Sequence, residues 1–299
     1  MIGYIANKVE QLSVIEKSTF FRKCSSQIKN DWKEIETVNY WQAWAVKRLI
    51  VNHQYKIIYC AIPKNASSSL MKSMISLDAT KKKEKIINSS RDTIRKYVEL
   101  NYALSTYSYF EAQKIINSDY FKFTVVRNPW TRLVSTYVNL FVRLHEHGNI
   151  NDLVKSAVKY IHGEEPKDKQ SININFKDFV EYLVAEENRN LDQHCIPQYL
   201  FLGDLKYNFI ARMENLSEDL AYLQGKLGIS LDLPKLNVTK YSSSPTAEQN
   251  NVSEFLPSEL RKHVDKSPNY QAFYTPELID LVRQRYEKDI SLFNYSFDS

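Results

Sequence analysis

Glycine is scarce in this sequence. There are six glycines among 299 residues, and none lies between Gly3 and Gly148. That gap excludes the loop G-x-x-x-x-G-K-[ST], with which many ATP- and GTP-binding proteins hold a triphosphate. ATP or GTP held by that motif is therefore not expected in the first half of the chain.

Cysteine and long apolar runs are also lacking. The three cysteines, Cys24, Cys60 and Cys195, are too few and too scattered for a disulfide framework or a zinc site. No window reaches the roughly 18 apolar residues of a membrane helix, and the first residues have no apolar signal-peptide core. We expect a protein of the reducing cytosol, without a transmembrane segment and without a bound metal.

An excess of one charge is the third missing feature. The 40 Lys and Arg residues are balanced by 35 Asp and Glu residues, which gives a net charge of +5. This balance permits anionic ligands but lacks the concentrated basic charge of nucleic-acid-binding proteins, so no nucleic-acid partner is expected. The 20 tyrosines and 14 phenylalanines indicate a folded globular chain.

Strands and helices alternate along most of the chain. Residues 55–62, 121–127 and 207–214 are rich in β-branched and aromatic residues and are predicted strands. Strands that alternate with helices favour a parallel sheet covered on both faces. The fold class predicted is α/β, a P-loop-like three-layer α/β/α arrangement with a central parallel sheet and helix-rich additions at both ends. Residues 1–50 are predicted to form a helical extension, and residues 51–299 the main domain.

Helical periodicity and end signals predict the remaining elements. Asn128 and Pro129 are a suitable N-cap and first-turn pair for the helix that follows the second strand, and Ser217 is a candidate cap. Residues 148–175 are polar and are predicted to be loop. The predicted helices cover residues 67–77, 109–117, 130–147, 176–187, 216–228 and 277–290.

The stretch AIPKNASSSL, residues 61–70, joins the first strand to a helix. Ligands of open α/β sheets bind beyond the carboxyl ends of the strands, where a helix N-terminus favours phosphate. Lys64 would supply a positive charge, and Ser67–Ser69 would add hydroxyl groups and cap the helix. A serine-capped helix beside an exposed lysine explains this loop alone equally well.

The stretch FTVVRNPWTRLVSTY favours the ligand-binding interpretation. It places Arg127 at the end of a strand and Ser135 two turns into the next helix. A phosphate at the strand end could accept a bidentate contact from Arg127, and Ser135 could reach the same group. Taken singly, Arg127 is better explained as a salt-bridging residue at the strand end, and Ser135 as a small packing residue.

Together, PKNASSS and VVRNPWTRLVSTY closely resemble the nucleotide site of sulfotransferases. FIARMENLSEDL and RYEKDISLFNYSF resemble segments of the membrane-type carbohydrate sulfotransferases, and the similarity runs from about residue 55 to residue 299. The resemblance implies the donor 3′-phosphoadenosine 5′-phosphosulfate (PAPS), the product adenosine 3′,5′-bisphosphate (PAP) and no metal. Animal members carry a membrane anchor and lumenal cysteines, which this sequence lacks, so a soluble bacterial member is expected.

The resemblance also implies roles for individual residues. Lys64 and Ser67–Ser69 face the 5′-phosphosulfate, whereas Arg127 and Ser135 hold the 3′-phosphate. Arg132 either touches the 3′-phosphate or pairs within the fold, and Lys240 lies in a late polar loop that could close over the nucleotide or simply be surface. The nucleotide-binding set implied is Pro63, Lys64, Asn65, Ala66, Ser67, Ser68, Ser69, Arg127, Arg132, Ser135 and Lys240.

Sulfuryl transfer is an in-line displacement that needs a stabilised leaving oxygen and a base for the acceptor hydroxyl. Lys64 is the predicted stabiliser. His194 is the first candidate for the base because LDQHCIPQ resembles a His-x-x-Pro element of carbohydrate sulfotransferases, and Asp192 could orient it. Glu214 is a rival base, although a structural role at the strand end explains it better. A structural histidine in a bend is the alternative for His194.

The resemblance favours a glycan or polysaccharide as the acceptor. Two other classes of function remain open from the residues alone. An ATP-dependent phosphotransferase would need a triphosphate loop and magnesium-binding carboxylates, neither of which is visible. A non-catalytic anion- or nucleotide-binding module would use the same basic loop without turnover.

Overall fold

The computed structural model describes residues 28–77, 86–143, 150–231, 251–262 and 268–299. The strands are β1 (Leu49–Asn52), β2 (Ile57–Cys60), β3 (Phe121–Val126) and β4 (Phe209–Arg212). Residues 28–38 are helical. The helices that follow are α1 (Tyr40–Lys47), α2 (Ser67–Ser76), α3 (Arg91–Asn101), α4 (Tyr109–Ile116), α5 (Pro129–Tyr137), α6 (Asp152–His162), α7 (Phe176–Ala185), α8 (Tyr199–Leu202), α9 (Leu216–Leu227), α10 (Pro257–Leu260), α11 (Pro276–Arg285) and α12 (Glu287–Phe293). None of the helices formed by the described residues is both long and apolar enough to cross a membrane.

The four strands form one mostly parallel sheet in the order β1-β2-β3-β4. β2, β3 and β4 run parallel, with Cys60 opposite Thr124 and Val126 opposite Arg212. β1 is an antiparallel edge strand paired with β2. The carboxyl ends of the three parallel strands therefore meet at one edge of the sheet, where α/β proteins place their ligands.

Apolar side chains cover both faces of the sheet. On β2, Ile58 and Cys60 belong to one buried cluster, whereas Ile57 and Tyr59 belong to another. This alternation follows from the two-residue period of a strand. Helices α5, α7 and α11 contribute to the first cluster, and helices α2, α3 and α9 contribute to the second. Helices thus pack on both faces, as the α/β pattern predicts.

The first strand was not predicted. The predicted helical extension runs through Ile50, but helix α1 ends at Lys47 and Leu49–Asn52 pair with β2. All four residues of β1 are buried. Burial on both faces gives a continuous apolar run, which periodicity alone does not separate from a buried helix. The central sheet is consequently mixed at this edge, not wholly parallel.

Two other expectations about helices were wrong. Residues 148–175 contain helix α6, in which Leu153, Val154, Ala157 and Val158 are buried on one face; Asn151 caps it and Gly163 follows it with φ 82°. Apolar residues at this spacing form one face of a helix, and this pattern predicts a helix even though the residues around it are polar. Ser217 is not a cap, because α9 begins at Leu216. Asn128 caps α5 as predicted and accepts a hydrogen bond from the backbone N–H of Trp130.

Candidate active site

A polar cleft lies at the carboxyl ends of β2 and β3. Its volume is ≈ 180 Å³. Most of the predicted site residues meet there, although they come from separate parts of the chain. The lining residues are Pro63, Lys64, Ala66, Ser67, Ser68, Ser69, Arg127, Ser135, Asn139, His194 and Met213.

The loop between β2 and α2 turns without glycine. Lys64 has φ 72° and Ala66 has φ 56°, so two residues with side chains occupy the left-handed region. Such a conformation costs roughly 1–2 kcal/mol for a residue other than glycine. Asn65, between them, is fully buried, and its side-chain amide donates to the Val125 carbonyl at 2.8 Å and to the Gln198 Oε1 at 2.7 Å. Buried hydrogen bonds thus hold a loop shape that glycine would adopt without strain.

Helix α2 begins directly at this loop. Its N-cap is Ala66, which provides no side-chain hydrogen bond, and the helix starts at Ser67. The serines are therefore the first helical turn and not the predicted cap. Backbone N–H groups of a first turn have no partner within the helix and mark the positive end of its dipole. The cleft thus meets a helix end suited to an anion.

We expect Ala66→Gly to stabilise the protein by about 0.5–1 kcal/mol because glycine adopts a positive φ without steric cost. Ala66→Val should destabilise it, because a β-branched side chain is strained there. The free energy of unfolding, measured with urea, checks both. Ala221→Gly is the matched control: Ala221 is exposed within α9, and glycine should destabilise that helix by about 1 kcal/mol. Destabilisation by both glycines would contradict a strained Ala66.

One face of α5 lines the opposite wall of the cleft. Thr131 and Ser135 lie four residues apart on α5, a spacing that places their side chains on the same side of the helix, and Asn139 follows at the same spacing. Arg127 lies before the helix, just after the end of β3. The Arg127 Nε donates to Thr131 Oγ1 at 3.0 Å, and its Nη1 donates to the Lys64 carbonyl at 3.1 Å. The Arg127 guanidinium therefore lies against the loop that carries Lys64. Asn139 was missed by sequence analysis; it lies in a π-helical turn, Val138–Val142, that continues α5.

His194 reaches the cleft from the turn before α8. Its Nδ1 lies 2.5 Å from Asp192 Oδ1, and its backbone N–H donates to the same oxygen at 2.8 Å. Burial opposes ionisation of Asp192, but the side-chain and backbone hydrogen bonds from His194 and the positive charge of Arg48 leave the pKa of Asp192 below its usual value. An ionised Asp192 accepts the proton on Nδ1, so Nε2 keeps a lone pair that can accept another proton.

Glu214 has the contacts of a structural residue. Its Oε1 accepts the backbone N–H of Asn128 at 2.8 Å, and its Oε2 accepts the hydroxyl of Tyr295 at 3.0 Å. Both carboxylate oxygens are thus engaged in joining the end of β3 to the segment after α12. This geometry favours His194 over Glu214 as the base.

Three residues of the predicted nucleotide-binding set are not among those that line the cleft. Asn65 supports the loop from behind, as described above. Arg132 is buried, with 1 % of its surface exposed, and it contacts backbone carbonyls. Lys240 lies outside the described residues, as do Ser242–Ser244 of the same predicted loop.

Sequence analysis also missed a buried support below the cleft. The Gln198 Oε1 accepts hydrogen bonds from Asn65 and from the backbone N–H of Arg127, and its Nε2 donates to the Arg127 carbonyl at 2.7 Å. The backbone N–H of Gln198 donates to Asp289 Oδ2 at 2.7 Å. Burial raises the pKa of Asp289, against hydrogen bonds from Gln198 and Tyr199 and the charge of Arg132. The dipeptide Pro197-Gln198 matches no motif that would predict this supporting role for Gln198.

No group of three or more His, Cys, Asp or Glu side chains that could hold a metal ion occurs among the described residues. The groups that face the cleft are cations, hydroxyls, a helix N-terminus and an oriented imidazole. An α/β fold with such a cleft is suited to an enzyme that transfers a group from an anionic donor.

The chain belongs to the sulfotransferase family, because the Sulfotransferase family model matches residues 47–296. Among curated proteins, the chain is 27 % identical over 266 residues to "Carbohydrate sulfotransferase 10" of Danio rerio, which covers 84 % of this chain and 67 % of the relative. It is 24 % identical over 261 residues to "Carbohydrate sulfotransferase 11" of Rattus norvegicus, at 84 % and 68 % coverage. It is 26 % identical over 192 residues to "Carbohydrate sulfotransferase 14" of Danio rerio, at 61 % and 49 % coverage. No solved structure matches the chain significantly.

Proposed function

We propose that this sulfotransferase moves the sulfuryl group of PAPS to a hydroxyl group of a glycan or polysaccharide. The carbohydrate sulfotransferase names of its relatives support the acceptor class. The observation that carries the proposal is the meeting of Lys64, Arg127 and His194 in one cleft. An anion-binding loop, a second cationic group and a candidate base are the parts that this reaction needs.

The donor has two anionic ends, and the cleft has two groups of residues to hold them. Lys64 and Ser67–Ser69, with the N-terminus of α2, are assigned to the 5′-phosphosulfate, as in P-loop-like folds. Arg127 and Ser135 are assigned to the 3′-phosphate. The 3.1 Å hydrogen bond from Arg127 to the Lys64 carbonyl supports this assignment, since it places the two groups side by side. PAPS supplies the sulfuryl group and the nucleotide leaving group.

In the proposed reaction an acceptor hydroxyl oxygen attacks sulfur, and a sulfur–oxygen bond to the acceptor forms. The bond between sulfur and the bridging oxygen of the phosphosulfate breaks, and PAP leaves with that electron pair. His194 accepts the hydroxyl proton at Nε2 while Asp192 holds Nδ1–H. Lys64 stabilises the negative charge that develops on the leaving phosphate oxygen.

The two other classes of function make different predictions. A phosphotransferase would bind ATP in preference to PAP and would depend on magnesium. An anion-binding module would bind polyanions broadly, with a steep dependence on salt and without preference for a 3′-phosphate. Family membership favours the sulfotransferase over both alternatives.

Titration of PAP into the protein by calorimetry, without magnesium, tests the donor site, with 5′-AMP and ATP as comparison ligands. We expect PAP to bind more tightly than either, because only PAP carries the 3′-phosphate. Arg127→Ala should weaken PAP binding about 10- to 100-fold, since a hydrogen bond to a charged group contributes about 1.5–3 kcal/mol. Binding of 5′-AMP should change little in the same variant.

Arg283→Ala is the control, because Arg283 is an exposed arginine that pairs with Asp280 on α11. It should bind PAP like the unaltered protein. Transfer of labelled sulfate from PAPS to a set of glycans then tests the reaction itself. Equal binding of PAP, 5′-AMP and ATP would contradict the donor assignment, and PAP binding without transfer to any glycan would favour the non-catalytic module.

A further inference from the structure

Arg132 is a buried cation that lies between the proposed 3′-phosphate residues Arg127 and Ser135 in the sequence. Its guanidinium lies 5.9 Å from the centre of the Phe201 ring, and its side-chain hydrogen bonds go to backbone carbonyls. The Nε donates to the Pro63 carbonyl at 3.2 Å. The Nη1 donates to the Ile196 carbonyl at 2.9 Å, and the Nη2 donates to the Gln193 carbonyl at 3.2 Å. Each guanidinium nitrogen thus has its own acceptor.

The three acceptors belong to the two segments that carry the proposed catalytic residues. Pro63 directly precedes Lys64, whereas Gln193 and Ile196 lie on either side of His194. One turn further along α5, Thr136 Oγ1 donates to the Arg132 carbonyl at 3.0 Å and also lies 3.4 Å from the His194 carbonyl. One rigid, planar group therefore connects the donor loop to the turn that presents the base.

Arginine is well suited to this place. Burial lowers the pKa of Arg132, and the nearby Tyr286 and Asp289 act in the opposite direction, but a guanidinium stays protonated in proteins. None of the ion pairs among the described residues includes Arg132. The charge is instead met by carbonyl dipoles in a fixed fork geometry, which a single ammonium group cannot reproduce.

We propose that Arg132 is a positioning residue that fixes the donor loop and the His194 turn relative to each other. The expected effect of Arg132 on catalysis rests on the proposed function, because in that reaction Lys64 and His194 must act on opposite sides of the same sulfur atom. Arg132 does not touch the substrates in this account. Its loss should therefore lower the rate of transfer much more than the affinity for PAP.

The first test measures the positioning itself and does not depend on activity. Hydrogen–deuterium exchange is followed in peptides that cover residues 60–70 and 190–200, in the unaltered protein and in Arg132→Lys. Exchange should rise in both segments together. Arg261→Lys is the matched control, because Arg261 also donates to carbonyls, those of Val142 and Phe141, outside the two segments. Unchanged exchange in both segments of Arg132→Lys would overturn the proposal.

The second test separates positioning from binding. In Arg132→Met, kcat should fall about 100-fold, the loss expected when reacting groups are misplaced by about 1 Å, while the Kd for PAP changes less than about fivefold. Arg132→Lys should recover part of kcat. A parallel loss of kcat and PAP affinity would instead make Arg132 a nucleotide ligand, and unchanged kcat would make it a residue of stability alone.

Two further observations keep the outcomes distinct. If the Arg132 variants do not fold, Thr136→Val removes the hydroxyl near the His194 carbonyl and should raise exchange in residues 190–200 alone. No such rise in Thr136→Val would then count against the positioning network.

If the unaltered protein binds no PAP and transfers no sulfate, the proposed function fails. The exchange experiment still decides whether Arg132 joins the two segments.

Discussion

Lys64→Met is expected to lower kcat about 100- to 1,000-fold, which is the range for removal of one group that stabilises developing charge. Methionine is unbranched like lysine, so the variant removes the charge without adding a β-branch to a residue with φ 72°. PAP binding should weaken much less than kcat, because Arg127, the serines and the N-terminus of α2 remain. Steady-state transfer from PAPS and calorimetry with PAP measure the two effects.

Lys72→Met is the control for this prediction. Lys72 lies on the same helix α2, partly buried, and does not line the cleft. Its substitution removes an equal charge near the site and should leave kcat within about threefold, because charges away from the cleft are screened by solvent. If both variants lost activity to the same degree, the general positive field of this region, and not Lys64 in particular, would drive the reaction.

His194→Gln is expected to lower kcat about 100- to 10,000-fold, the usual contribution of a general base. Asp192→Asn should lower kcat at least about tenfold, because a neutral amide no longer requires the proton to sit on His194 Nδ1. The Kd for PAP should stay nearly constant in both variants, since neither residue is assigned to the nucleotide. Measurement of kcat and of PAP affinity on the same preparations separates these effects.

Glu214→Gln provides the comparison for the choice of base. Glu214 accepts hydrogen bonds from the backbone of Asn128 and the hydroxyl of Tyr295. Its substitution should therefore lower the midpoint of thermal unfolding, and it should lower kcat less than His194→Gln does. A larger loss of kcat in Glu214→Gln than in His194→Gln would reverse the assignment. Equal kcat in His194→Gln and the unaltered protein would exclude His194 as the base.

The parallel strands and the cleft follow directly from local sequence. The runs around Tyr59, Phe123 and Ala211 form the three parallel strands, and each strand end lies within two residues of the predicted end. Because parallel strands end at the same edge, residues that follow two different strands were expected to lie together, and Lys64 and Arg127 do. Their roles toward PAPS, like the cytosolic location, stay predictions.

Other features depend on contacts that local sequence does not carry. Gln198 and Asp289 are 91 residues apart, and no pattern in either segment predicts that they meet. The sequence left two alternatives for Arg132, a contact with the 3′-phosphate or a pairing within the fold, and its three carbonyl partners come from segments more than 60 residues away. The left-handed conformation of Ala66 could not be predicted from the sequence either, because glycine is the residue that normally indicates a positive φ.

Contacts made by the C-terminal segment around α12 also bear on the order in which the chain folds. Asn128 donates to the Ser296 carbonyl across 168 residues, and Arg212 donates to the Phe293 carbonyl across 81 residues. Contacts between residues so distant in sequence require closure of long loops and form slowly, whereas single helices form within microseconds. Single helices can therefore form before these contacts do. We expect the end of β3, which carries Arg127 of the proposed site, to reach its final structure only when the segment around α12 docks against it.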